Sequence, residues 1–182
     1  MSKLLKRALK NSLMPAILMI VGKALGIFVI SAVYGFSLEI GNDINGIFST
    51  QIYFQDREVT YFVNSMSDLL MLIALIVPTV YLITKTIIFQ SAMDNPKTIV
   101  KVAKFNILNW ITKDDTTFLK IFIWCAFLWL ATAIVIKNSF EGDTYTWVAI
   151  VGSIVSFFSA FGTLKAFEVE TNKVYPSNNK YY

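Results

Sequence analysis

The residues that can carry chemistry are few, and most sit where catalysis has little use for them. No histidine occurs anywhere in the chain. That removes the side chain best suited to acid–base work near neutral pH and the commonest zinc ligand. The single cysteine, Cys125, lies in the apolar run IFIWCAFLWL. It reads as a small packing residue, and alone it forms neither an intramolecular disulfide nor a thiolate cluster. Asp114 and Asp115 stand together in KDDTTFLK, a pattern that suits a helix start better than a pair of catalytic carboxylates. Walker A, GxGxxG and GxSxG patterns are absent, so neither phosphate-cradling nor nucleophile-elbow chemistry is signalled. The expectation is a non-catalytic chain with no cofactor and no metal.

What remains is charge and small residues in apolar surroundings. Lys23 is the one charge in LMPAILMIVGKALGIFVISAVYGF, residues 13–36. An ionisable side chain inside such a run is a functional candidate by default. Counted from Leu13 at 1.5 Å per residue, Lys23 lies about 15 Å into the segment. It can be a structural or snorkelling lysine, a contact for lipid or partner, or a transport site. Asp68 opens the next apolar run and is expected at a different depth, so no pair with Lys23 is expected. No carboxylate falls near the middle of any apolar run, which argues against a proton-coupled pump.

Small residues recur at four-residue steps. The first run holds Gly22-x-x-x-Gly26 and Ser31-x-x-x-Gly35, and the last holds Gly152, Ser156 and Ala160, continuing near Thr163. Such stripes let helix backbones approach closely, with hydroxyls adding hydrogen bonds. They serve packing within one bundle or an intermolecular face.

The elements that position these residues follow from composition. Of 182 residues, 55% are hydrophobic and 15% charged, against roughly 45–50% and 25% in soluble domains. Mean hydropathy is +0.59. A hydrocarbon layer of about 30 Å takes roughly 20 apolar residues as a helix. Four runs meet or approach that length, at residues 13–36, 69–89, 118–136 and 145–164. Without water to satisfy the backbone they must be helices. The expected fold is an all-α integral membrane protein with four transmembrane helices in one domain covering residues 1–182. The first run is too long for a signal peptide and has no A-x-A site after it, so it is expected as a retained helix.

Charge sets the expected orientation. Basic residues gather before the first run, between the second and third, and after the fourth, whereas the other two connections are mostly acidic. By the positive-inside rule both termini are then cytoplasmic, in a bacterial inner membrane. On that reading the inner side holds 13 basic and 5 acidic residues, a net of +8, and the outer side nets −5. With Lys23 between them the whole-chain value is +4, a separation across a membrane rather than affinity for nucleic acid. Tyr34, Tyr61, Tyr145 and Trp147 fall at outer ends, as interfacial aromatics do.

Four connecting segments carry further expectations. Residues 2–12 form an interfacial amphipathic helix leading into Pro15, or a plain basic flank. Residues 94–113 form a cytoplasmic amphipathic helix, with Lys97, Lys101 and Lys104 on one side and Trp110 on the apolar side. It lies on anionic headgroups or docks a partner. The outer loop, residues 37–63, is partly structured as a β-hairpin or short helix and is the first-ranked external contact surface. Residues 168–182 form a polar tail. Pro78 should bend the second helix, as a static kink or a hinge.

Three roles fit. The first is a subunit packing with other membrane proteins, or with itself, in a secretion, pilus, conjugation or respiratory assembly. The second is a small oligomeric channel or transporter using Lys23, Ser153, Ser156, Ser159 and Thr163. The third is a membrane immunity or regulatory protein.

Overall fold

The computed structural model describes residues 3–37, 39–42, 50–53, 56–94 and 117–174. Four long helices dominate: α1 (Lys3–Tyr34), α2 (Arg57–Asp94), α3 (Thr117–Glu141) and α4 (Thr146–Val174). Each contains a stretch long and apolar enough to cross a membrane. A short antiparallel hairpin, β1 (Glu39–Asn42) and β2 (Thr50–Tyr53), joins α1 to α2, with Ile40 opposite Ile52. The hairpin lies in the segment expected to be partly structured. It pairs EIGN with TQIY rather than joining IFSTQIYF to VTYFV, because VTYFV belongs to α2.

The helices are longer than the apolar runs, and their caps explain where they stop. Asp56 starts α2: its carboxylate accepts the Glu58 N–H at 3.2 Å, and Glu58 adds negative charge to the first turn. The helix therefore begins at Arg57 instead of near residue 69. Gly35 ends α1 at φ 70°, with the Phe36 N–H returning to the Ser31 carbonyl at 2.9 Å. Gly142 ends α3 at φ 79° in the same way, the Asp143 N–H reaching the Asn138 carbonyl at 2.9 Å. Both are glycine caps in which the left-handed residue lets the last carbonyls find donors. α1 runs unbroken through Pro15 from Lys3, so residues 3–12 are its first turns and not a separate interfacial helix. α4 continues to Val174, taking in the first part of the expected tail. The expected amphipathic helix at 94–113 lies outside the described residues, apart from Asp94 at the end of α2.

The core sits among α2, α3 and α4. Met71, Leu72 and Leu75 meet Leu128, Ala131 and Val135, and Val148 and Ala149 complete the cluster. Helix α1 packs along α2 and α3 and leaves a broad apolar face exposed, from Leu13 and Ile17 to Val29 and Val33. α4 exposes Phe157, Phe158 and Phe161, stacked edge to face. Lipid tails are as apolar as these side chains, so close packing and hydrogen bonds, rather than water exclusion, must hold such a bundle together.

Small residues supply that packing. A Cβ on Gly26 would stand 2.7 Å from the Ser67 Cα, and one on Gly22 3.2 Å from the Met71 Cα. Gly152 lies against Leu72 and Thr132. The Gly22/Gly26 and Gly152 stripes are therefore filled by this chain's own helices. Gly35 is not part of a stripe, since nothing lies within 4 Å of its added Cβ. It is a cap, and the Ser31 hydroxyl bonds its own helix at the Ile27 carbonyl, 2.7 Å away.

Candidate functional site

The most charged feature of the interior joins α1, α2 and α3 to the α3–α4 turn. Lys23 of α1 donates from Nζ to Asp68 Oδ1 of α2 at 2.5 Å. The expectation that these residues lie at different depths is overturned. Because α2 starts at Asp56–Arg57, Asp68 is three turns into the helix, and it meets a residue well inside the antiparallel α1. The second carboxylate oxygen accepts from the Thr144 hydroxyl at 2.6 Å and from Asn138 Nδ2 at 3.4 Å. Thr144 lies just before α4 and Asn138 in the last turn of α3. Lys23 also reaches the Asn64 carbonyl and Oδ1 at 3.4 and 3.3 Å.

Neighbouring bonds close the set. The Tyr145 N–H donates to Ser65 Oγ at 2.8 Å, and the Ser65 hydroxyl donates to the Tyr61 carbonyl at 2.7 Å. Tyr61 and Tyr145 meet edge to face with ring centroids 4.4 Å apart. The Asp68 side chain is 1% exposed and the Lys23 side chain 27%. Among the described residues, every buried side-chain nitrogen or oxygen has a partner. A buried pair breaks even only when its remaining donors and acceptors are satisfied, and here they are. The polar run NSMSD, residues 64–68, carries this cluster. The readable signal for it was the Asp-Arg-Glu start at Asp56, which lengthens α2.

Helix contacts fix the height of the pair along the bundle. Gly26 faces Ser67, Gly152 faces Leu72 and Gly162 faces Ile83. Continuing these registers brings Lys10, Lys85, Lys120 and Lys165, one from each helix, near a common level. Asp68 to Lys85 and Lys120 to Lys137 each rise about 26 Å, close to a hydrocarbon thickness. The Lys23–Asp68 pair lies at the other end of the shared bundle, beside the α3–α4 turn. Glu141 is exposed in that turn and pairs with Lys137 at 3.3 Å. Lys23 and Asp68 both fall inside the membrane-length apolar stretches Ala8–Tyr34 and Arg57–Thr86, where they pair with each other.

Hydroxyls deeper in the bundle tie α3 to α4. Trp129 Nε1 donates to Ser159 Oγ at 2.8 Å, and Thr132 shares a 2.8 Å hydrogen bond with Ser156. Ser153 and Thr163 bond carbonyls of their own helix at 2.7 and 3.0 Å. Ser156 and Ser159 are thus engaged between α3 and α4, whereas Ser153 is exposed and bonds only its own helix; Ala160 is half-buried. Trp129→Phe removes the indole donor from Ser159. It should cost about 1 kcal/mol, the usual scale of an interhelical hydrogen bond, read as a modest loss of thermal stability in micelles. Lys97, Lys101, Lys104 and Trp110 lie outside the described residues. Among the described residues, no group of His, Cys, Asp or Glu could hold a metal.

No known family model matches the chain, and comparison with curated proteins and with solved structures found no similar one. Four membrane-length helices and the site geometry are what bear on function.

Proposed function

We propose that this chain is a multi-pass membrane subunit that packs against other membrane proteins in a larger assembly, with both termini cytoplasmic in a bacterial inner membrane. One observation carries the reading. Past the level of the Lys23–Asp68 pair, α3 and α4 turn back, but α1 and α2 continue to Tyr34 and Arg57. That two-helix extension rises about 16 Å past the pair. Leu25, Val29, Val33 and Tyr34 on it remain about half exposed or more. No helix of this bundle covers that stripe, and an exposed apolar face on a helix pair that outruns its neighbours suits contact with another membrane protein.

The wiring of the interior supports the same reading. The small-residue stripes and the hydroxyls are used within the bundle, which makes it a self-contained scaffold for the extension. The shared lysine level, opposite the acidic α3–α4 turn, supports the orientation.

Val29→Gln with Val33→Gln tests the role. The double variant should keep wild-type thermal stability and insertion, yet shift the native-membrane complex to lower mass on native gels. An unchanged complex would rule the extension out as the contact. A periplasm-active reporter fused near Asp56 should be active, and one near Lys101 silent; the reverse pattern would invert the orientation.

A further inference from the structure

The hairpin that joins α1 to α2 is an unfinished sheet. Among the described residues β1 and β2 pair with each other and with no third strand, and no helix packs broadly against them. A lone two-stranded hairpin is marginally stable at best in water, and a further strand is what completes it. We propose that the β2 edge pairs antiparallel with β2 of a second copy of this chain, making a four-stranded sheet of order β1–β2–β2–β1 across a two-fold axis. The pairing is separate from the apolar stripe on α1 and does not rest on it.

Three arguments commit the edge to that occupant. The first is that this chain cannot supply the strand. Residues 95–116 and 175–182 set out from Asp94, Thr117 and Val174, at the end of the bundle away from the hairpin. Residues 95–116 are tethered there at both ends, so even fully extended they reach roughly 40 Å. The tail is shorter still, and α2 alone is about 55 Å long. Residues 43–49 are spent joining β1 to β2. The second argument is which edge is open to pairing. β1 carries Glu39, whereas Thr50–Tyr53 holds no charge and no proline, the residues that commonly keep a sheet edge from adding a strand. The third is symmetry. Copies in one membrane share an orientation and bring their hairpins to one height, and β2 offers its copy an identical edge, as a closed two-fold contact requires. Ile40 already stands opposite Ile52. Centring the axis on Ile52 places Ile40, Ile52 and their two copies in one row across the sheet, a run of β-branched cross-strand neighbours.

The test is disulfide trapping in membranes that hold the full chain with Cys125→Ala, which removes its one thiol. Directly opposed residues of an antiparallel pair have Cα atoms about 4.5–5.5 Å apart, within the roughly 4.4–6.8 Å that a disulfide spans. Ile52→Cys should therefore link to its own copy on mild oxidation and run at twice the mass of the chain. Thr50→Cys stands two residues off the axis, about 14 Å along the sheet from its copy, and should link several-fold less. Ile52→Lys sets two like charges opposite each other. It should convert the dimer seen by native mass spectrometry to single chains while leaving the thermal unfolding of the bundle unchanged. Val29→Gln with Val33→Gln should keep the Ile52→Cys link; its loss there would place the contact on the helices and overturn the proposal. Ile52→Cys that stays at single-chain mass, or links no more than Thr50→Cys, overturns it, as does a dimer that survives Ile52→Lys. A disulfide to a protein of another mass would assign the edge to a different partner and equally overturn it.

Discussion

Asp68→Ala should be the most damaging single substitution within the described bundle. It leaves the Lys23 ammonium, the Thr144 hydroxyl and the Asn138 amide facing a site from which water is largely excluded. Removing one partner of a buried pair costs about 3–5 kcal/mol, because the other charge stays behind uncompensated. Lys23 keeps a quarter of its exposure, so the low end, about 3 kcal/mol, is expected. Asp68 also ties α2 to the α3–α4 turn, and its loss should loosen the start of α4. Lys23→Met combined with Asp68→Leu removes both charges and should recover much of the stability, as apolar replacements of buried pairs often do. A double-mutant cycle on unfolding in mixed micelles measures this: a coupling below about 0.5 kcal/mol would mean that the pair contributes nothing beyond its separate parts.

Gly26→Ala comes second, and it separates two kinds of glycine in the same helix. The added methyl would lie 2.7 Å from the Ser67 Cα and 2.9 Å from its Cβ. Backbone cannot swing aside as a side-chain tip can, so α1 must move away from α2. Such overpacking costs about 1–3 kcal/mol, and the gain of about 1 kcal/mol in helix propensity offsets only part of it. The shift would also lengthen the Lys23–Asp68 contact one turn away, so the loss should exceed that of a methyl in an isolated gap. Gly22→Ala meets Met71 at 3.2 Å and should be much milder. Gly35→Ala meets open space and carries only the strain of its positive φ, about 1 kcal/mol. Unfolding midpoints should therefore fall most for Gly26→Ala. Equal effects at positions 22, 26 and 35 would show that the close α1–α2 approach does not carry the packing.

These variants matter for function because the proposed contact stripe stands on α1 and α2 beyond the pair. A bundle locked at this pair can present a rigid two-helix extension, whereas one loosened there cannot. Val29→Gln with Val33→Gln perturbs the stripe and spares the lock, so the two effects are separable by stability on one side and complex mass on the other.

The four helices and the likeness of their length to a bilayer were legible without coordinates. The reason is physical: a backbone in hydrocarbon has one local solution, and an apolar run of about 20 residues announces it. The hydroxyls of the last helix and the glycines of the first were also legible as packing candidates, although their partners were not. The residues that pair were misread. Lys23 and Asp68 are 45 positions apart, and their depths depend on where α2 begins. An apolar-run count starts that helix near residue 69. The Asp56 cap starts it at Arg57, and that extension carries Asp68 to Lys23. In the Ser31/Gly35 spacing only Gly35 departs, as a helix cap, because α1 ends at Tyr34; Ser31 is buried and bonds its own helix.

The sequence by itself determined that this chain forms membrane-length helices, since that follows from backbone hydrogen bonding and composition along each segment. Only the tertiary structure decided which residues share a level. Depth follows from helix starts, crossing points and close glycine contacts, each of which involves residues far apart in the chain. That shared level turned a lone lysine in an apolar run into one half of a satisfied pair, with an apolar two-helix extension standing beyond it.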